Sequence, residues 1–277
     1  MTIDPPQRAE LADEVERWVR RQGSGDGALP PILMISGAQG IGKSTAVRGL
    51  ASLNGLKIAV IGLDDVYHTR QARQRLASDV HPLCETRGPP GTHDLPLLTD
   101  VIEQLSTAEA HTSTRIPAFD KSIDDRVAGS GWPQFIGRPD AIVIEGWMMG
   151  VEPDPASPKS APLNQLEANE DPDGSWRRWQ ESSLESDYAP LWDRSHGFLH
   201  LDAPSFDVVL KWRLQQEETT LGVDAGKLPD DRTEWVARFI QHYERLTRRM
   251  LAGGRRDGDV APVDEHRQVV RRQIGDS

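Results

Sequence analysis

A chain of 277 residues is long enough for one large α/β domain or two small ones, and 43 acidic against 32 basic side chains leave it at a formal charge of −11. That balance argues against a nucleic-acid footprint, so an anionic ligand must meet positive charge gathered locally; Lys43, Arg87, Lys121 and Arg213 are the candidates. The single cysteine, Cys84, excludes an intrachain disulfide and fits a reducing compartment; with no apolar run near ~18 residues and no signal-peptide core, a soluble, cytoplasmic protein with neither membrane nor nucleic-acid partners is expected.

Asp4-Pro5-Pro6-Gln7 has the makings of a helix start, with Asp4 as cap and proline at the first helical position. Leu11, Val15, Trp18 and Val19 then recur at helical spacing, predicting an amphipathic helix that stops before Gly23. Residues 23–31 form a linker. An apolar strand at 32–35 runs into Gly37-Ala38-Gln39-Gly40-Ile41-Gly42-Lys43-Ser44, which fits G-x-x-x-x-G-K-[ST] at every fixed position. Thr45 follows at the head of a helix expected over 45–50. Glycines let consecutive N–H groups wrap a di- or triphosphate. Lys43 can reach the β- and γ-phosphates, and the Ser44 hydroxyl is placed for Mg²⁺. The loop alone separates a kinase from neither a motor nor a GTPase.

Residues 56–62 form a second, nearly continuous apolar run, as expected of a parallel strand covered on both faces. It ends in Leu63-Asp64-Asp65-Val66-Tyr67, and ligands of open α/β sheets sit at such carboxyl ends. The stretch 81–94 is too rich in Pro and Gly for a regular element, and a helix is expected over 95–105. A short strand at 115–119 would place Asp120 and Lys121 at its end. The strand at 141–144 closes on Glu145, the pattern of a carboxylate that holds a magnesium water shell, with Glu where Asp is more usual.

Residues 150–173, rich in Pro, Ser and acids, suggest an irregular surface insertion, and helical spacing returns over 176–192. A strand at 198–201 precedes a helix bearing Trp212 and Arg213, which should end near Gly222. A connector at 222–229, a long amphipathic helix over 233–252 and a last strand at 259–263 complete the chain. Strands alternating with helices predict a three-layer α/β/α domain with a parallel sheet. A single domain over 1–277 is expected, with 151–195 as a decoration and 265–277 as a frayed tail.

Together, the phosphate loop, LDDVY, ETRGPPGTHDLPLL, IPAFDKSIDDR, VIEGWMMG, LNQLEANEDPDGSWR and LKWRLQQEE resemble the plant-type D-glycerate 3-kinases and their bacterial and fungal relatives. That family sits among the P-loop kinases that include phosphoribulokinase, uridine kinase and pantothenate kinase. The resemblance spans about residues 32 to 220. It implies ATP and Mg²⁺ as cofactors, Asp64 as catalytic base and Asp65 as its neighbour and a metal contact. It further implies Arg213 as a lid arginine near the transferred phosphate, with Arg87, His93, Asp94, Asp120 and Lys121 reaching the acceptor. Val66 departs from the usual Phe, which touches packing more than chemistry. The expected activity is phosphoryl transfer to a small acid, with D-glycerate to 3-phosphoglycerate as the best match. A nucleoside or pantothenate-like acceptor, or a nucleotide-driven switch, are the alternatives.

Overall fold

The computed structural model describes residues 5–23, 29–53 and 55–270. Helix α1 (Pro5–Gln22) is followed by β1 (Ile32–Gly37), α2 (Lys43–Arg48) and β2 (Ile58–Gly62). Helices α3 (Arg70–Asp79) and α4 (Leu95–Ser106) precede four short strands, β3 (Ser113–Arg115), β4 (Phe119–Asp120), β5 (Asp125–Arg126) and β6 (Gln134–Ile136). Next come β7 (Ala141–Gly146), α5 (Gln165–Glu170), α6 (Ser175–Ser183), α7 (Ala189–Trp192) and β8 (Gly197–Asp202). Helices α8 (Phe206–Leu221) and α9 (Asp230–Leu251) and strand β9 (Asp259–Pro262) close the described chain.

Five of the strands form one sheet in the order β2-β7-β1-β8-β9, and every neighbouring pair is parallel. Strands buried on both faces need apolar residues throughout, and every residue of β1 and β7 is buried. Helices cover both faces, giving the expected α/β/α layering. The register matters most for function. Glu145 pairs with Ile35 on one side and Gly62 on the other. The ends of β1, β2 and β7 therefore lie along one edge, where the loops after them meet.

Several elements depart from the sequence reading. The expected strand at 115–119 divides, because β3 pairs antiparallel with β6 while β4 pairs with β5. Pro117 between them has no N–H to offer a ladder. Helix α3 has no apolar periodicity to announce it; its cap is Thr69, whose side chain accepts from Ala72 N at 3.2 Å. Helix α2 is shorter than expected and tightens into a 3₁₀ turn over Gly49–Ser52.

The stretch 151–195 is a packed layer over much of its length. Leu184, Tyr188, Leu191 and Trp192 join the main core, while Leu166 and Trp176 cluster with Leu83 and Cys84. Some of its acids are buried in pairs: Asp171 Oδ2 accepts from Arg177 Nε at 2.8 Å, and Glu167 accepts from Arg245 Nε at 2.8 Å. Of the expected tail, residues 265–270 fold back, with Val263 bridged to Val269. Asp4 and residues 271–277 lie outside the described residues. No helix among the described residues is long and apolar enough to cross a membrane.

Candidate active site

The phosphate loop leaves the end of β1 and takes left-handed backbone at Gly40 (φ 78°) and Gly42 (φ 106°), where a Cβ would be disfavoured. At Gly40 an added Cβ would also sit 2.7 Å from Trp212 Cβ, so the glycine is needed twice over. Lys43 is buried and folded back along the loop, with Nζ donating to Gly37 O at 2.6 Å and to Ala38 O at 3.2 Å. Burial pulls its ammonium pKa down, and the nearby Glu145 and Asp64 carboxylates pull the other way. Both polar side-chain atoms of Gln39 are buried with no hydrogen-bond partner among the described residues. Buried amide groups are rarely left so. Ile41 is fully buried and Ala38 is 6% exposed, while Thr45 is half-buried in the first turn of α2.

Ser44 Oγ donates to Glu145 Oε1 at 2.6 Å, joining α2 to the end of β7. Asp64 and Asp65 lie in the 3₁₀ turn Leu63–Val66 that follows β2. Asp64 uses both oxygens: Tyr67 donates its hydroxyl to Oδ1 and Lys121 its ammonium to Oδ2, each at 2.6 Å. Burial alone would raise its pKa, but Lys121, Tyr67 and Lys43 together hold the carboxyl well below the usual carboxylate range. Asp65 goes the opposite way. Burial, then the charges of Asp64 and Glu145, push it up to about 6. Surplus negative charge of that kind, next to the oxygen pair of Ser44 and Glu145, suits a hard cation. No group of three or more His, Cys, Asp or Glu side chains converges into a cage among the described residues. A magnesium ion would therefore take most of its remaining ligands from phosphate and water, as it ordinarily does.

The other residues singled out in the sequence divide into two sets. Lys121 and Arg87 belong to the charged cluster. Arg87 Nη1 pairs with Asp124 Oδ1, and its guanidinium lies 5.6 Å over the Phe119 ring. Arg213 lies on α8, donating to Glu217 Oε2 at 3.0 Å, with its guanidinium 5.5 Å from the Phe239 ring on α9. Asp94, by contrast, caps α4 through Leu97 N at 3.1 Å and pairs with Arg126 at 3.0 Å. Asp120 closes its own turn by accepting from Ser122 N at 2.8 Å. His93 is 3% exposed. Its Nδ1 lies 2.6 Å from Tyr188 Oη and its ring 4.9 Å from that of Tyr67, and burial lowers its pKa to about 3.

Three residues of this neighbourhood escaped the sequence reading. Tyr67 orients Asp64. Asp124, in left-handed backbone (φ 55°), accepts from both Arg87 and the fully buried Arg73. Tyr243 donates its hydroxyl to Arg87 O at 2.6 Å. Tyr67 and Asp124 lie inside segments the sequence had already flagged, so their proximity to charged motif residues was the available signal. Nothing in local pattern announces Tyr243 or Arg73.

A phosphate loop after the middle strand of a five-stranded parallel sheet, with carboxylates at the ends of β7 beside it and of β2 beyond, defines a P-loop kinase fold. No family model matches the sequence. It is 30% identical over 263 residues to the chloroplastic D-glycerate 3-kinase of Arabidopsis thaliana, a match that covers 89% of this chain and 55% of that one. The chain thus spans about half the length of the plant protein. It is also 30% identical over 251 residues to mug58 of Schizosaccharomyces pombe, described as an uncharacterized kinase, with 84% of this chain and 85% of that one covered. Among solved structures, the D-glycerate 3-kinase of Cryptococcus neoformans matches with a TM-score of 0.75 at 24% identity, over 94% of this chain and 98% of that one. The chain belongs to the glycerate kinase-like family of P-loop kinases.

Proposed function

We propose that the protein transfers the γ-phosphoryl group of ATP to a hydroxyl of a small hydroxy acid, with D-glycerate, giving 3-phosphoglycerate, as the favoured acceptor. The observation that carries this reading is the placement of Asp64. It is a charged carboxylate at the end of the strand next to that of Glu145 and two strands from the phosphate loop, and it is touched by a lysine from a different loop. A nucleotide switch has no need of such a base, whereas hydroxyl phosphorylation does. The plant and Cryptococcus relatives, named as D-glycerate 3-kinases, support the choice of acceptor.

In this reading residues 37–45 and Lys43 hold the triphosphate, and Asp64 takes the proton of the attacking hydroxyl. Ser44 and Glu145, with Asp65 nearby, would hold Mg²⁺, which when bound would supply charge neutralisation at the phosphates. An acceptor carboxylate draws Lys121 and Arg87 from their internal partners, Asp64 and Asp124. That exchange frees an oxygen of Asp64 for the hydroxyl. Arg213 closes from α8 over the transferred group and helps exclude water. The loop around Gly91 is braced by Tyr188, whose Oη accepts from Gly91 N at 2.9 Å, so the stretch 151–195 acts as the wall behind the acceptor side.

The test is a coupled ADP-release screen over D-glycerate, related sugar acids, nucleosides and pantothenate. Release that depends on a hydroxy acid is expected. Equal release without any acceptor would make the protein an ATPase, and dependence on a nucleoside would move the acceptor class.

A further inference from the structure

Arg267 is 227 residues beyond Gly40 in sequence and in direct contact with it in space, with Nε donating to the Gly40 carbonyl at 2.6 Å. The same guanidinium lies 5.0 Å over the Trp212 ring, and Nη2 donates to Gln215 Oε1 at 3.0 Å. One side chain therefore touches both the phosphate loop and α8. Trp212 completes the joint. It is 1% exposed, its indole Nε1 donates to Glu265 O at 2.8 Å, and its Cβ is the atom that excludes a side chain at position 40.

The turn that delivers Arg267 is built for the purpose. Asp264 Oδ1 accepts from His266 N at 2.9 Å and from Gln268 N at 2.8 Å, and Asp264 N donates back to Gln268 O at 2.9 Å. Buried Val263 anchors the segment and bridges to Val269. Arg267 itself has φ 65°, a backbone conformation disfavoured for any residue with a Cβ. Such a conformation persists where the surroundings over-determine it.

The consequence lies in the peptide plane. In a trans peptide the N–H points opposite to the C=O. A cation that draws the Gly40 carbonyl outward therefore holds the Ile41 amide toward the inside of the loop, where it makes only a long contact, 3.3 Å, with Ala38 O. A phosphate oxygen can replace that contact. Lysine would supply the charge but not the simultaneous stacking and forked donation.

We propose that Arg267 is a positioning residue for the nucleotide: braced against α8, it fixes the Gly40–Ile41 peptide in its anion-binding orientation. The proposal rests on the nucleotide-binding reading of the loop. Its test compares wild type, Arg267→Ala and Arg267→Lys by direct titration with a fluorescent ATP analogue and by ADP-release kinetics.

For Arg267→Ala, about tenfold weaker analogue binding and an equal rise in KM for ATP are expected, the scale of one charge-assisted hydrogen bond. The KM for the acceptor and kcat at saturating ATP should stay within about twofold, a split that a general loss of structure would not produce. Arg267→Lys should recover part of the loss. Binding by wild type and Arg267→Ala with equal affinity overturns this inference alone. No binding by wild type overturns the nucleotide reading and this inference with it. If Arg267→Ala does not fold, Arg267→Lys decides: a loss of about threefold is expected, and unchanged affinity overturns the proposal.

Discussion

Asp64 is charged and fully engaged in the structure, with Tyr67 and Lys121 each 2.6 Å from one of its oxygens. Asp64→Asn should keep affinity for an ATP analogue and lower kcat by ~10² or more, the scale of a lost general base. Full activity in that variant would hand the role to Asp65 or Glu145. Tyr67→Phe keeps the ring against His93 and Phe119 but removes a donor that favours the charged form of Asp64. Its acidic limb in the kcat/KM profile should move to higher pH, with a rate loss of about threefold to tenfold; a stationary limb would place the titrating base elsewhere. Arg87→Ala should raise the acceptor KM and leave that for ATP nearly alone. Equal damage to both would make the Arg87 side chain a structural support, acting through its ion pair with Asp124. Lys43, Asp64 and Glu145 were legible from sequence because parallel strands end on one edge, so the residue after each apolar run is already placed. Lys121 was singled out as a cation, but neither its pairing with Asp64 nor Asp124 as the partner of Arg87 was legible, since both arrive on a two-stranded hairpin with no apolar period.

At the scale of elements, composition misled where charge is buried in pairs. The stretch 150–173 has the acids, serines and prolines of a surface loop, yet Asp171 is fully buried and Glu167 is 1% exposed. Asp171 accepts from Trp176 N at 2.8 Å and Arg177 N at 3.2 Å as well as from the Arg177 guanidinium, so it caps α6 and neutralises it in one step. Partners six residues apart, or 78 apart for Glu167 and Arg245, belong to no helical or strand period. The helices with an apolar stripe, α4 and α9, were legible nearly to their ends, whereas α3 was not. Removing one partner of a buried pair strands the other. Asp171→Ala should therefore cost about 3–5 kcal/mol, read as a lower urea midpoint, while the neighbouring exposed Asp173→Ala should stay within about 0.5 kcal/mol. Equal small effects would mean that water reaches Arg177 and that this layer is a decoration after all.

Across the whole molecule, proton uptake on unfolding follows from which histidines are buried. Burial is the leading cause that lowers His93 to about 3 and His200 and His242 to about 4. His200 has both nitrogens occupied, Nδ1 2.6 Å from Ser36 Oγ and Nε2 2.9 Å from Arg256 O, a pairing that fits the neutral ring. Each of these histidines is neutral in both states above the unfolded value of about 6.5. As pH falls below that value the unfolded chain takes up the proton and the folded chain does not, so stability is lost down to the folded pKa. Asp65 has the opposite sign: raised to about 6, it is protonated in the folded state while still charged in the unfolded one, and so it offsets one histidine between about pH 6 and 4. The net uptake of these four groups near pH 5 is then about two protons, a slope of about 2–3 kcal/mol per pH unit, and His68, also lowered by burial, adds in the same direction. Urea titrations of the ligand-free protein should show stability nearly flat between about pH 7.5 and 8.5, below the range where unfolded thiols and phenols ionise, and falling at that rate toward pH 5. His242→Gln, which lies against Trp176 with a ring separation of 5.9 Å and outside the charged cluster, should remove one proton from the slope. An unchanged slope in that variant would mean that His242 takes its proton within the folded protein.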